Sequence, residues 1–393
     1  MRVTDLQTRI VNLDFRNCVI VSIETDSGIR GVSETVMKRW THTIEQAIQE
    51  LRRYLIGKDP TEIEEHWEKM YRDSFWSGGP MHASAISAVD LALWDILAKS
   101  CGVPVHKLHG GPTRRTVPVY CHCPGGATPE EFARNVRACA DRGYRALKTT
   151  LPLFYGGQGK PQGAAYSGAD GAISRELKET EYLNPSVFRR IREFIVAARE
   201  AGGPDLGIAI DCHGRLNLKN AIRLCEALDD LDLMFIEEPV PPENAEVLAR
   251  VTAATSIPIA AGERWATVHG VREFVEKGAV DILQCDIVNC GGFTGLKKIA
   301  ALAETYYLPM APHNPNGPIA TMINLQFAAS IPNYYLLETV GSEQDWRLFD
   351  EIAEGMPRLE DGALAVPCAP GYGFELNGAA LDAHPYVPRQ GLR

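Results

Sequence analysis

No uninterrupted apolar stretch of eighteen or more residues occurs in this chain of 393 residues, and nowhere do lysine and arginine form a run. The first absence removes the plainest signature of a membrane-spanning helix. The second joins a count of 40 Lys plus Arg against 50 Asp plus Glu, a net charge of −10, to argue against a nucleic acid or an acidic membrane as partner. Residues 1–8 lack the apolar core of a secretory signal, so the expected location is the cytoplasm. A close-spaced cysteine framework is missing too. The 10 cysteines are scattered, and Cys18, Cys212 and Cys285 lie inside apolar strand-like runs where a reduced thiol serves as a small hydrophobe.

What is present divides the chain in two. Residues 1–115 read as strands followed by helices: a hairpin with its turn at Thr25 to Gly28, then helical spacing over 42–55, 61–71 and 83–100, which describes an α+β capping unit. Gly and Pro in the stretch from Leu108 to Arg115 close that unit. From 116 to 355 strand and helix alternate, with strands expected at 117–123, 145–150, 206–212, 232–237, 257–262, 281–286, 308–313 and 334–339. Thr128-Pro-Glu-Glu131 supplies a capping box for the first helix between them. Eight such units predict an α/β barrel of the TIM type, with its active site at the C-terminal ends of the strands. Residues 356–393, rich in Pro and Gly, are expected to return to the capping unit.

Three acids stand at successive strand ends. Asp211, Glu237 and Glu263 are each 26 residues apart, about the length of one βα unit, so they are expected at equivalent points of one rim. An acid at a strand end is more often a cap or an ion-pair partner, but three in register would repel without a cation. Their hard oxygens suit Mg²⁺. Asp286 and His313 end the next two strands, where the carboxylate would fix the ring's tautomer for acid or base work. His213 offers a second imidazole beside Asp211, and Glu338, ending the eighth strand, a hydrogen bond to a substrate oxygen. Lys148, closing the second strand, reads equally as a counter-charge for a bound anion and as a solvated strand-end lysine. Cys121-His-Cys123 lacks the paired spacing of a zinc site and reads as packing. The connection over 151–185, rich in glycine and poor in apolar residues, reads as a lid over the rim or as a plain insertion.

The α+β cap, the two 26-residue steps, the Asp-then-His pair 27 residues apart and the Glu on the eighth strand resemble the enolase superfamily, mandelate racemase group. Within it Asp211-Cys-His-Gly-Arg215, Ile236-Glu-Glu-Pro-Val240, Ala261-Gly-Glu-Arg264 and Ala311-Pro-His-Asn-Pro-Asn-Gly-Pro318 are most similar to galactonate dehydratase and related acid-sugar dehydratases. The resemblance implies a (β/α)₇β barrel, Mg²⁺ and removal of the proton α to a carboxylate. Racemases of the group carry Lys-x-Lys at the end of strand two; here Lys148-Thr-Thr150 puts Thr150 in place of the second lysine, leaving His213 to serve as base. The long 151–185 connection resembles that of mannonate dehydratases, whose strand-four motif Glu237-Glu-Pro does not match. The expected reaction is dehydration of a galactonate-like aldonate or aldarate to a 2-keto-3-deoxy acid, His213 as base and His313 as acid, by a homo-oligomer acting on this small molecule. Lys38, Trp40 and Trp76 of the cap are expected to read the substrate's distal hydroxyls, and Arg215 and Lys148 to contact the substrate. Two rival readings stand beside it: a racemase, epimerase or cycloisomerase, and a non-catalytic barrel with a binding role.

Overall fold

The computed structural model describes residues 1–14, 16–153 and 182–388, so most of the connection expected as a lid lies outside the described residues. The chain opens with an antiparallel sheet ordered β1 (Val3–Asn12), β2 (Asn17–Thr25) and β3 (Arg30–Thr35). β2 is apolar without a break from Cys18 to Val21 because it is buried on both faces. Val19, Val21 and Ile23 pack on the cap helices, while Cys18 and Ile20 join the core of the second unit. The helices are α1 (Thr41–Glu50), α2 (Ile63–Arg72) and α3 (Gly79–Ser100). By length and composition α3 passes for a membrane-spanning helix, yet 78% of its most apolar window is buried inside the molecule. Ile86, Val89, Leu93 and Ile96 face the cap, and Leu91 and Ala98 face the barrel, so a helix apolar all round is what this central position requires.

The barrel runs through β4 (Thr116–His122), β5 (Ala146–Thr150), β6 (Gly207–Asp211), β7 (Phe235–Glu237), β8 (Ile259–Ala261), β9 (Ile282–Leu283) and β10 (Leu337–Thr339), all parallel, and closes where β10 pairs with β4. Between β9 and β10 the strand expected at 308–313 is reduced to one residue, Met310, bridged to Leu283 and Tyr334. The neighbouring Pro309 and Pro312 have no N–H to donate, which prevents a longer ladder. Met310 N donates to Asn333 O at 2.8 Å and Ala311 N to Leu283 O at 2.8 Å, so the stave is kept. In the capping box the Thr128 hydroxyl accepts from Glu131 N, while the Glu131 carboxylate reaches back to Ala127 N, one residue earlier than expected. The C-terminal segment, expected on the cap, serves both units. Residues 363–365 pair with the start of β4, whereas Asn12 N donates to His384 O and the Asn17 side chain exchanges hydrogen bonds with Val387.

Inside the barrel Tyr120, Ala146, Ala209, Phe235, Ala260, Ile282, Ala311 and Leu336 form one layer, one residue from each stave. Six are aliphatic, four of those alanine, and two are large; Tyr120 and Phe235 meet edge to face at 5.9 Å and fill the space the alanines leave. This layer is the floor on which the site stands.

Candidate active site

Strand alternation builds the site from that floor. Two residues further along each stave, the next inward positions are His122, Lys148, Asp211, Glu237, Gly262, Gln284, His313 and Glu338. An apolar layer is thus followed at once by a polar one, at the C-terminal end where barrel sites lie. Gly262 leaves a gap in the ring, and Glu263 stands just beyond it.

A lysine occupies the middle of this layer. Lys148 Nζ is fully buried and lies 2.7 Å from Glu237 Oε2, 2.9 Å from Glu338 Oε1 and 3.8 Å from Asp211 Oδ2. Of its two expected roles, the solvated strand-end lysine is excluded by this burial, and the charge it was expected to offer a bound anion is met here by carboxylates of three other staves. Burial works against its charge, but Glu237 and Glu338 hold its pKa well above the ordinary lysine range. Glu338, for its part, would be raised by burial and is held well below the carboxylate range by Lys148 and His313. Burial pushes Glu237 up to about 7 despite Lys148. Gln284 Nε2 donates to the same Glu237 oxygen at 3.0 Å.

His213 does not reach Asp211 by alternation, as its spacing suggested. β6 ends at Asp211, and His213 takes a left-handed backbone (φ 50°) while its N–H donates to Asp211 Oδ1 at 2.9 Å. This turn brings His213 Nε2 to 3.3 Å from Asp211 Oδ2. The 26-residue steps also need correction. Asp211 and Glu237 are ladder partners, but Glu237 faces Ala260, three residues short of Glu263, because the staves of a tilted barrel are staggered. Glu263 therefore lies past the end of β8, where its Oε2 meets His313 Nε2 at 2.8 Å and its Oε1 lies 3.6 Å from Arg264 Nε. Glu238, next to Glu237, is taken by Arg264.

The Asp286–His313 pair is formed, with His313 Nδ1 2.8 Å from Asp286 Oδ2 and Asn316 Nδ2 donating to the same carboxylate at 3.0 Å. Burial opposes charge on His313, yet Glu263, Glu338 and the bond to Asp286 raise its pKa well above the ordinary value. His213 is pushed by burial down to about 4, against the pull of Glu263. The two imidazoles thus sit in opposed environments.

Of the other residues expected to contact the substrate, Lys38 is exposed but feels Glu263 and Asp211. Arg215 is half-buried on the turn after β6. Trp40 and Trp76 are 57% and 85% exposed, on the cap. Two members of the ring escaped the sequence reading. His122 Nε2 lies 2.5 Å from Glu338 Oε1 with its side chain 34% exposed, and Gln284 supports Glu237. Their signal was the alternation itself: in Cys121-His-Cys123 the thiols face outward into the core with Cys139, and the histidine between them points inward.

Asp211, Glu237 and Glu263 are each engaged by a cationic or imidazole group in this arrangement, and no three His, Cys, Asp or Glu side chains among the described residues are set as a metal-holding cluster. Their chemistry nonetheless fits a small hard cation. All donors are carboxylate oxygens, and Glu237 Oε1 is buried with no hydrogen-bond partner among the described residues.

Two family models match the chain: the mandelate racemase / muconate lactonizing enzyme N-terminal domain over residues 3–110, and the enolase C-terminal domain-like unit over residues 131–380. The D-xylonate dehydratase of Haloferax volcanii is 34% identical, with 97% of this chain and 88% of that protein covered. The D-galactonate dehydratase of Ralstonia pickettii is 34% identical, with coverage of 92% and 90%. A member of the enolase superfamily from Salmonella Typhimurium superposes with a TM-score of 0.88 at 29% identity, covering 98% of each chain.

Proposed function

Since the chain belongs to the mandelate racemase/muconate lactonizing enzyme group of the enolase superfamily, we propose that it is a Mg²⁺-dependent hydro-lyase converting a galactonate-like aldonate or aldarate to a 2-keto-3-deoxy acid. Dehydration of an acid sugar is supported by the D-xylonate and D-galactonate dehydratases that match nearly the whole chain. The metal and the division of acid and base rest on the polar ring, with acids on neighbouring staves at one side and the Asp286–His313 pair at the other.

Asp211, Glu237 and Glu263 would hold the cation, which when bound supplies the positive charge that stabilises an enediolate. His213, held beside Asp211 by its turn, removes the proton α to the substrate carboxylate. His313, held by Asp286, gives a proton to the departing 3-hydroxyl; water leaves, and the enol tautomerises to the keto acid. Glu338 accepts from Lys148, His122 and Asn314 N, so it orders the ring rather than donating to substrate. His122 is the partly exposed member of that cluster and is assigned to a substrate hydroxyl. Lys38, Trp40, Trp76 and Arg215 are assigned to the distal end.

The test separates proton removal from elimination. With Mg²⁺ present, His313→Asn should release no keto acid but still exchange the α-proton for solvent deuterium, whereas His213→Asn should do neither. The opposite pattern exchanges the two roles. Deuterium entry without keto-acid release in the wild type, over a set of aldonic and aldaric acids, would make the protein a racemase or epimerase. Calorimetric titration should show Mg²⁺ binding weakened at least about tenfold in Glu263→Gln, since a hard cation loses one of its anionic ligands. An unchanged affinity removes Glu263 from the metal site.

A further inference from the structure

The two loops that carry Asp286 and His313 come from different staves, and the distance between them is not set by the barrel alone. Both are held by the last two residues of β3, in the cap. Glu34 is fully buried; its Oε1 accepts from Gly317 N at 2.5 Å and its Oε2 from Ile319 N at 3.2 Å, at the start of the helix Pro318–Ala328. That is where a carboxylate is favoured by the unpaired N–H groups of a helix. Gly317 has no side chain for the same reason: a Cβ there would lie 2.5 Å from Glu34 Oε2. The chain from His313 to Gly317 also carries Asn314, whose N–H donates to Glu338 Oε2 at 2.9 Å, and Asn316, which donates to Asp286.

The adjacent residue grips the other loop. Thr35 Oγ1 donates to Val288 O at 3.1 Å, and Val288 N in turn donates to Asp286 Oδ1 at 3.0 Å. β3 itself is anchored, since Ser33 Oγ donates to Ala88 O of α3 at 2.5 Å and its backbone pairs with β2. One short, doubly held segment therefore spans both loops.

We propose that Glu34 and Thr35 are positioning residues, through which the cap fixes the relative placement of Asp286 and His313 and so the proton-donating geometry of the pair. This rests on the acid role given to His313 above. Burial pushes the Glu34 carboxyl up to about 7, against the Gly317 and Ile319 N–H groups that favour its ionised form; in that form both oxygens are spent on backbone N–H groups, and the carboxylate acts as a clamp. An amide at this position offers only one accepting oxygen and turns an N–H₂ toward a second donor.

The experiment uses the full chain with Mg²⁺, D-galactonate and D-xylonate as substrates, and the variants Glu34→Gln and Thr35→Val. Keto-acid release should fall roughly 10- to 100-fold in kcat for Glu34→Gln with KM altered less than about threefold, since a misplacement of about 1 Å can cost that much. Thr35→Val should move in the same direction by a smaller factor. Exchange of the α-proton should be retained, because His213 stands on another stave. On the substrate-free protein, the proton resonance of the His313 ring N–H bonded to Asp286 should shift or broaden in both variants. A lowered melting temperature with wild-type kcat and an unmoved resonance would overturn the proposal, as would equal losses of exchange and elimination. Should Glu34→Gln fail to fold, Thr35→Val decides alone, and an unmoved resonance there is decisive against it. Were His313→Asn itself to leave dehydration intact, the functional reading would fall, while the resonance would still test the clamp.

Discussion

His109 carries its imidazole between two aromatic rings, 4.5 Å from Trp94 and 4.7 Å from Phe293, at the seam of cap and barrel. Its Nε2 is buried with no partner among the described residues, and burial, reinforced by Lys297, pushes its pKa down to about 4. An unfolded histidine titrates near 6.5. Between those values the unfolded chain binds a proton that the folded one refuses, so stability is intact above pH 6.5 and is lost as pH falls toward 4. At pH 5 the loss is about 1–2 kcal/mol once partial exposure is allowed for. His109→Phe removes the titration and keeps the stacking. Its melting temperature should fall less than that of the wild type between pH 7 and 5; parallel curves would mean that the ring is already free to charge when folded.

At the scale of elements, the site depends on how tightly β10 closes on β4. Gly341, just past β10, lies so near that chain that a Cβ would come 1.8 Å from His122 O. The strand end must retreat if any side chain is added, and His122 and Glu338, 2.5 Å apart across this seam, would separate. Gly341→Ala should therefore cost about 1–3 kcal/mol by overpacking and lower kcat as well. Gly378→Ala is the control, because a Cβ there meets nothing within 4 Å. Denaturant midpoints that match for the two variants would show the closure to be looser than described. The same seam explains why a histidine between two cysteines is part of the site: its side chain belongs to the inward set, and theirs to the helix-facing core.

Across the whole molecule the C-terminal segment joins the units. Pro385 bridges to Val11, His384 O accepts from Asn12 N, Val387 pairs with the Asn17 side chain, and Tyr386 lies 4.5 Å from the His42 ring. Asn17 adjoins Arg16, whose guanidinium feels Glu338 and Asp286 in the barrel. Truncation after Ala383 removes these contacts and leaves the buried Asn12 and Asn17 groups short of partners, a loss of about 1–3 kcal/mol. The melting temperature should drop, and KM should rise by more than kcat falls because the loosened turn belongs to the cap. Unchanged KM would confine the tail to a packing role.

Much of this was legible in the residues themselves. Short apolar runs marked the staves, the change from strand-then-helix to strand-and-helix alternation marked the two units, and acids at strand ends marked the rim. Each is a local pattern, imposed by burial of a parallel strand on both faces or by the residue needed at a helix start. What local pattern does not contain is the stagger between staves, which put Ala260 rather than Glu263 beside Glu237. Nor does it contain which groups end up sharing a buried space. Lys148 looked like a strand-end lysine; only closure of the barrel surrounded it with Asp211, Glu237 and Glu338, where an unpaired ammonium would be too costly to bury. The grip of Glu34 on Gly317 spans 283 positions of sequence, and no periodicity reaches that far. Chemistry by residue type was therefore set by the chain, and the partners of each group by closure of the barrel and by the packing of the cap on it.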